Sequence, residues 1–406
     1  MRNVAVINLF NGTGGGVRIA LHIVEILAEK GYRVRFIALS GFPINKLDKM
    51  HGTNLIRYLG RNLSVKYFLN YSHAKYLLRF RHYIYKYYIK MIKDVINTYN
   101  PDVIILFDDI PKLKWDSIKA RVILYSHFPY AARILCNIYD ALDADRVKLF
   151  DIVKERFFRK FTFYKYFFIG NLRNLGSEIE VVANSTITSM FVKKVWNVDS
   201  KILFPFISTP QAITSKEALS TRSRPNVIVS LGVIAPGKRY SVLIDAFSIL
   251  KQRMRNSKLV ILGSLVDKNY YKYLHKKIKR LGLENDIFII TNVSEEKKWD
   301  ILLKAKIYVH AKRFEPFGIA VAEAMYARAV PIVYKGFTSG PWIDIVEQGR
   351  YGFGFRTVDE LADVMDQVLS YGKDELEEWG LKVRERAKRF SLEVFKQKFM
   401  DLLNKV

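Results

Sequence analysis

One cysteine, Cys136, in 406 residues leaves no intrachain disulfide to form. The fold therefore does not depend on an oxidising compartment, and a cytoplasmic setting is expected. No run approaches the ~18 uninterrupted apolar residues that a bilayer-spanning helix needs. The most lipid-like stretch, Phe161 to Gly170, is short and broken by Lys165, so any membrane contact is expected to be peripheral. The opening MRNVAVINLF runs straight into a strand-like stretch with no small-residue cleavage pattern, and no secretion leader is expected. HxH, HExxH and CxxC spacings are missing as well, which leaves no metal site and no metal cofactor to predict. Acidic residues are scarce: 39 Asp and Glu face 66 Lys and Arg, a formal net charge of +27. Such an excess calls for an anionic partner, whether nucleic acid, an anionic membrane surface or a phosphorylated substrate.

Half of the residues are hydrophobic, and the length suits two domains of about 200 residues each. Strand and helix patterns alternate: VAVINL, a helix over Val17 to Lys30, RVRFIAL, DVIILF and RVILYSHF follow the βαβ rhythm of a parallel sheet. A polar segment bounded by Pro210 and Pro225 interrupts the rhythm, which restarts at NVIVSLGVI. The expected organisation is a first α/β domain over 1–208, a linker over 209–225, and a second doubly wound domain over 226–389. The second domain is expected to hold helices over Lys268 to Leu281, Glu295 to Lys304 and Val358 to Tyr371. A closing amphipathic helix over about 390–406 suits packing on either domain.

Two segments break the rhythm with a shared composition. Residues 61–99 combine eight basic residues and ten aromatics with one acid, Asp94, and residues 146–172 repeat the theme. Interleaved cations and rings suit a helix lying among lipid headgroups, so contact with an anionic membrane is expected here. An aromatic core with a solvated charged face, or RNA binding, fits the same composition.

Glu315-Pro316-Phe317-Gly318-Ile319-Ala320-Val321-Ala322-Glu323 places two carboxylates, seven residues between them, around a strand-to-helix corner. Pro316 sits where a first helical turn tolerates it, and Gly318 lets a ligand approach the backbone. The helix N-terminus offers unpaired N–H groups and the positive end of the dipole, which suits a diphosphate. Glu323 falls roughly 9 Å along the axis from Phe317. A favourable N-terminal charge at Glu315 and a solvated Glu323 are the plainer alternative.

Three further groups carry possible chemistry. Asn11 to Arg18, NGTGGGVR, has glycines for a tight turn or for approach to a phosphate. The strict dinucleotide pattern needs glycine at Val17 and an acid closing the second strand, where Ser40 stands instead. No GK[ST] follows, which excludes a Walker loop. His127 follows an apolar strand and precedes Pro129, at the carboxyl end of the sheet, where α/β folds place ligands. The GVIAPGKR loop holds Lys238 and Arg239 at the mouth of the second domain, where cations neutralise a leaving diphosphate or simply face solvent.

NGTGGG, YSHFP, VVANSTITS, LGVIAPGK, EPFGIAVAEAMYARAVPIV and TSGPWIDIVEQG together, in this order, resemble the family 4 retaining glycosyltransferases. The resemblance implies the GT-B fold, an α/β architecture of two Rossmann-like doubly wound domains facing across a cleft. HFP, EAMY and SGPWIDIV resemble most the mannosyltransferases that extend lipid-diphosphate-linked oligosaccharides in N-glycan assembly. That likeness implies mannose from GDP-mannose as the donor, a lipid-linked glycan as the acceptor, no metal, and work at the cytoplasmic face of a membrane. It also implies Glu323 on the nucleotide ribose, Glu315 on donor sugar hydroxyls, and the backbone of Phe317, Gly318 and Ile319 on sugar and diphosphate. Lys238 is implied to stabilise the leaving group, with Gly15 and Gly16 facing it from the first domain and His127 lining the catalytic cleft. Many family members carry arginine where Val233 stands, and Arg239 is the candidate replacement. UDP-glucose or UDP-N-acetylglucosamine donors, or sugar-nucleotide epimerisation on the same fold, stay open. A noncatalytic RNA- or membrane-binding protein accounts for the charge but not for the paired glutamates, so nucleic acid is the least favoured partner.

Overall fold

The structure, a computed structural model, describes residues 2–11, 14–69, 81–107, 113, 115–129, 179–207, 209, 220–221 and 224–404. Cys136, segment 146–172 and residues 70–80 of the other basic aromatic segment lie outside the described residues. The chain forms two compact units, Met1–Ile134 with Glu155–Leu203, and Leu135–Lys154 with Phe204–Val406.

The first unit runs β1 (Asn3–Asn11), α1 (Gly15–Glu29), β2 (Arg33–Gly41), α2 (Ile44–His51), β3 (Leu63–Tyr67), α3 (Arg81–Tyr99), β4 (Val103–Phe107), β5 (Arg121–Ser126), β6 (Ile179–Ala183), α4 (Thr186–Trp196) and β7 (Lys201–Ile202). Its strands form one seven-stranded sheet ordered β3-β2-β1-β4-β5-β6-β7, with every pairing parallel. Val4 pairs with Val34 on one side and Val103 on the other. Every residue of VIILF in β4 is buried, as expected of a strand covered on both faces.

The basic aromatic segment 61–99 is thereby partly accounted for. Its first part is the edge strand β3, and its last part is α3, whose Tyr88, Met91, Ile92 and Val95 enter the core. Lys66 on β3 pairs with Asp94 on α3, Nζ to Oδ2 at 2.7 Å.

The second unit runs β8 (Val227–Leu231), α5 (Tyr240–Arg253), β9 (Lys258–Gly263), α6 (Lys268–Arg280), β10 (Ile287–Thr291), α7 (Glu295–Leu302), β11 (Ile307–His310), α8 (Ile319–Tyr326), β12 (Val330–Tyr334), β13 (Phe353–Phe355), α9 (Val358–Leu369), α10 (Lys373–Lys388) and α11 (Leu392–Asn404). Its sheet is six-stranded, parallel, and ordered β10-β9-β8-β11-β12-β13. In both sheets the first strand of the unit lies beside the fourth, so the winding direction reverses between them. That reversal is where open α/β sheets hold ligands, beyond the carboxyl ends of the strands.

The helix starts follow from local chemistry. Asp267 accepts from the N–H groups of Asn269 and Tyr270, both at 2.9 Å, and opens α6. Thr357 caps α9 through Glu360 N–H at 3.1 Å, while Glu360 accepts from Arg356 N–H at 2.7 Å, close to a reciprocal capping box. The units hand over at Leu203/Phe204, whereas the sequence expectation put the linker at 209–225. Phe204 stacks on Phe317 at 5.6 Å and meets Phe390 edge-on at 5.7 Å, and Phe206 packs on Phe395 of α11 at 5.0 Å. Among the described residues, no helix is long and apolar enough to cross a membrane.

Candidate functional site

At the reversal point of the second sheet, Ser230 Oγ donates to Val309 O at 2.7 Å and Tyr308 OH donates to Leu231 O at 3.3 Å, tying β8 to β11. Two loops leave this point. The first, after β8, is shaped by two glycines. A Cβ on Gly263 would stand 1.7 Å from Gly232 O, and one on Gly232 would stand 2.8 Å from Lys238 Cε. Lys238 thus lies across Gly232, whose carbonyl accepts from Tyr240 OH at 2.9 Å. Arg239, with φ 55°, turns inward: its Nη1 donates to Ala311 O at 3.3 Å, and its guanidinium lies 5.8 Å from the Tyr334 ring centroid.

The second loop, Ala311 to Gly318, joins β11 to α8. It is zipped onto the segment after β12: Glu315 N–H donates to Thr338 O at 3.2 Å and Gly340 N–H to Glu315 O at 2.8 Å. Any side chain on Gly340 would collide with Pro316 O, 1.8 Å from the Cβ position. Gly318 has φ 94° and caps α8 with no side-chain hydrogen bond; the Val321 N–H is taken by Gly318 O at 2.9 Å, which leaves the preceding N–H groups of the first turn to a ligand. The ring of Phe317 is buried in the core, which leaves its main chain as the part able to meet a ligand.

These loops bring three cationic or titratable groups onto one carboxylate. Glu315 Oε2 lies 3.3 Å from Lys238 Nζ, 3.4 Å from Lys312 Nζ and 3.5 Å from His310 Nε2. Burial alone would raise the Glu315 pKa, but Lys312, Lys238 and His310 hold its carboxyl well below the ordinary range. Burial pushes the His310 imidazole below its ordinary value, against the pull of Glu315. The result is a fixed carboxylate with two ammonium groups beside a bare helix N-terminus. Such a set accepts hydrogen bonds from hydroxyls while attracting a polyanion.

Glu323 is placed differently. It is buried on α8, with Oε1 3.1 Å from Lys298 Nζ, and Lys298 also reaches the exposed Glu295 at 2.7 Å. The two glutamates of the motif are therefore each met by lysine, Glu315 at the loop mouth and Glu323 beneath it.

In the first unit, Gly14 has φ 126° and opens α1 without a side-chain cap. Gly16 lies under His127: a Cβ there would be 2.8 Å from His127 Nε2. The imidazole stacks on Phe107 at 5.9 Å and meets Tyr125 edge-on at 5.2 Å, and Thr188 Oγ1 donates to His127 O at 3.2 Å. Gly15, beside this contact, is exposed. Gly15, Gly16 and His127 thus gather in one unit, and Lys238, Arg239, Glu315, Phe317, Gly318, Ile319 and Glu323 in the other.

His310, Lys312 and Lys298 were not singled out by sequence reasoning. His310 had a usable signal, as the polar end of an otherwise apolar strand. Lys312 stands three residues before Glu315, while Lys298 is one lysine among many. Among the described residues, no group of three His, Cys, Asp or Glu is arranged to hold a metal ion.

Residues 212–386 match the family described as "Glycosyl transferases group 1". The GDP-Man:Man(3)GlcNAc(2)-PP-Dol alpha-1,2-mannosyltransferase of Dictyostelium discoideum is 25% identical over 237 residues, 55% of this chain and 46% of that protein. The mouse protein of the same name is 27% identical over 259 residues, 60% of this chain and 52% of its own. The chain thus spans about half the length of these curated relatives. Among solved structures, WaaG, a glycosyltransferase involved in lipopolysaccharide biosynthesis, superposes with a TM-score of 0.69 at 15% identity, over 99% of this chain and 100% of WaaG. Two parallel-sheet α/β units with such neighbours define a GT-B fold.

Proposed function

We propose that the chain is a retaining glycosyltransferase that moves mannose from GDP-mannose onto a lipid-linked oligosaccharide or glycolipid at a membrane surface. The observation that carries this reading is the Glu315 carboxylate held among Lys238, Lys312 and His310 beside the uncapped start of α8. It is supported by the group 1 match over the second unit and by the two mannosyltransferase relatives.

In this reading the bond from the anomeric carbon to the diphosphate breaks through an oxocarbenium-like state, and the acceptor oxygen joins with retention as its proton passes to the departing diphosphate. Negative charge grows on the departing diphosphate. Lys238, seconded by Lys312 and by the backbone N–H groups at Phe317, Gly318 and Ile319, meets that charge without a metal. Glu315 orients sugar hydroxyls, and Glu323 takes the ribose, with Lys298 as its standing partner. Arg239 serves by holding the loop to Ala311 O, so Lys238 and Lys312 carry the charge that Val233 does not supply. Gly15, Gly16 and His127, which gather in the first unit with the imidazole seated on Gly16, are that unit's candidate donor-binding and catalytic residues. The anionic membrane is met by segments 61–99 and 146–172, on the cytoplasmic face.

The test is transfer itself. Purified protein is incubated with GDP-mannose, UDP-glucose or UDP-N-acetylglucosamine and a lipid-diphosphate oligosaccharide, and the product's anomeric configuration is read by NMR. Mannose transferred with the donor's configuration is expected. Transfer from a UDP-sugar alone would move the assignment to that donor, and no transfer from any of them would overturn it.

A further inference from the structure

The exposed face of α6 carries a row of cations with no acid among them. Lys268, Lys272, Lys276 and Arg280 follow one another at i, i+4 spacing, with Lys279 alongside, and all five are exposed. At the usual rise the row is about 18 Å long. Like charges at this spacing repel, so the row weakens the helix unless something outside compensates it.

No carboxylate of a described residue pairs with any of the five. Some exposed cations of this unit find acids, as in Arg253 with Asp363 at 2.7 Å or Lys388 with Glu385 at 2.8 Å, and others such as Lys297 and Arg389 stand singly, so what sets α6 apart is the density of five on one helix. The lysine of α6 that has a partner, Lys277, points inward, where it is buried and pairs with Asp245 of α5. Tyr270, Leu274 and Ile278 seat the helix in the core.

Exposed apolar side chains stand at the two ends of the row, Val266 at 65% and Leu281 at 36%. No tyrosine of α6 is exposed. Tyr270 is buried, while Tyr271 and Tyr273 are half-buried, and His275 lies edge-on to Tyr271 at 4.4 Å. A nucleic acid strand draws on open aromatic faces as well as cations. A bilayer surface instead takes a cationic row flanked by apolar tips.

We infer that this face of α6 is a docking surface of the second unit for an anionic lipid bilayer, separate from segments 61–99 and 146–172. The inference does not rest on sugar transfer, and its readout is resolved by residue. Its failure is thus distinguishable from failure of the proposed reaction or of contact through those other segments.

The full chain is acetylated briefly in the presence of phosphatidylcholine vesicles, of mixed phosphatidylcholine–phosphatidylserine vesicles, or of a single-stranded oligonucleotide, and each lysine is quantified by mass spectrometry. Mixed vesicles are expected to slow acetylation of Lys272, Lys276 and Lys279 by ~threefold or more, reversibly with salt, and to leave Lys388 unchanged. The triple variant K272Q/K276Q/K279Q, altered only at exposed positions, is expected to keep or slightly raise its Tm and to partition onto mixed vesicles ~tenfold less. Unchanged acetylation on mixed vesicles, equal protection by phosphatidylcholine alone, or protection by the oligonucleotide but not by vesicles would each overturn the inference.

Discussion

Lys298 and Glu323 form a pair in which the side chains are 7% and 5% exposed. Breaking a buried pair by removing one member typically costs 3–5 kcal/mol, and less where the remaining member keeps a second partner, as Lys298 does in Glu295 at 2.7 Å. Lys298→Met is therefore expected to destabilise the second unit by about 3 kcal/mol, and Glu323→Gln, which leaves Lys298 with Glu295, by about 2 kcal/mol. The double variant Lys298→Met/Glu323→Leu leaves no stranded charge and should lie within ~1 kcal/mol of wild type, giving a coupling of several kcal/mol. Glu295, whose side chain is 52% exposed, contributes a screened contact, and Glu295→Gln should cost under ~0.5 kcal/mol. For a unit of about 200 residues, 3 kcal/mol corresponds to a Tm lowered by roughly 6–12 °C. Thermal unfolding followed by tryptophan fluorescence suits the measurement, because Trp299 next to Lys298 is fully buried. A Lys298→Met protein that melts within ~1 °C of wild type, or single and double variants whose losses simply add, would refute the pairing.

Two other outcomes follow from the same loops. Gly263→Ala puts a methyl group 1.7 Å from Gly232 O and must displace the loop that carries Lys238, whereas Gly237 has nothing within 4 Å of its Cβ position. Gly263→Ala should cost about 3 kcal/mol in chemical denaturation and Gly237→Ala under ~0.5 kcal/mol. The second outcome concerns acid. His310 titrates below its ordinary 6.5 because it is buried. Between that lowered value and 6.5 the unfolded chain binds the extra proton, so the contribution present above pH 6.5 is lost as pH falls through this window. Tm should fall on acidification from pH 7 to pH 5 and fall less in His310→Gln; equal slopes for the two proteins would contradict this. Glu315, titrating well below 4.5, adds stability above the ordinary carboxylate range that disappears only at more acidic pH.

The parallel sheets were legible because buried strands read as unbroken apolar runs, VIILF and KIYVH among them. The motif corner was legible because Pro316 and Gly318 constrain backbone on their own. Helix α10 was not, since KDELEEWGLKVRERAK is mostly charged and has Gly380 inside, which fits under Thr221 and Arg328. Its apolar face is read only once α8 is there to pack on it. The packing of KILFPFIS was not legible either, because Phe204 and Phe206 meet rings more than a hundred residues away, those of Phe317 and Phe395. At the candidate site, spacing singled out both glutamates but not the lysines that meet them. Lys238 reaches Glu315 across 77 positions, and that distance closes only through the order β8-β11. Arg239 was legible as a cation for the diphosphate, but not the left-handed backbone that turns it onto Ala311 O.

The central claim is that the carboxyl edge of the second sheet grips a nucleoside diphosphate through Lys238, the amides at Gly318 and the Glu315–Glu323 pair. Isothermal titration of GDP and UDP into wild type and into Lys238→Met, Glu315→Gln and Glu323→Gln tests it most directly. One nucleotide should bind wild type, with affinity lowered at least ~tenfold, or about 1.4 kcal/mol, in each variant. Absence of binding by either nucleotide, or equal affinity in all four proteins, would contradict it.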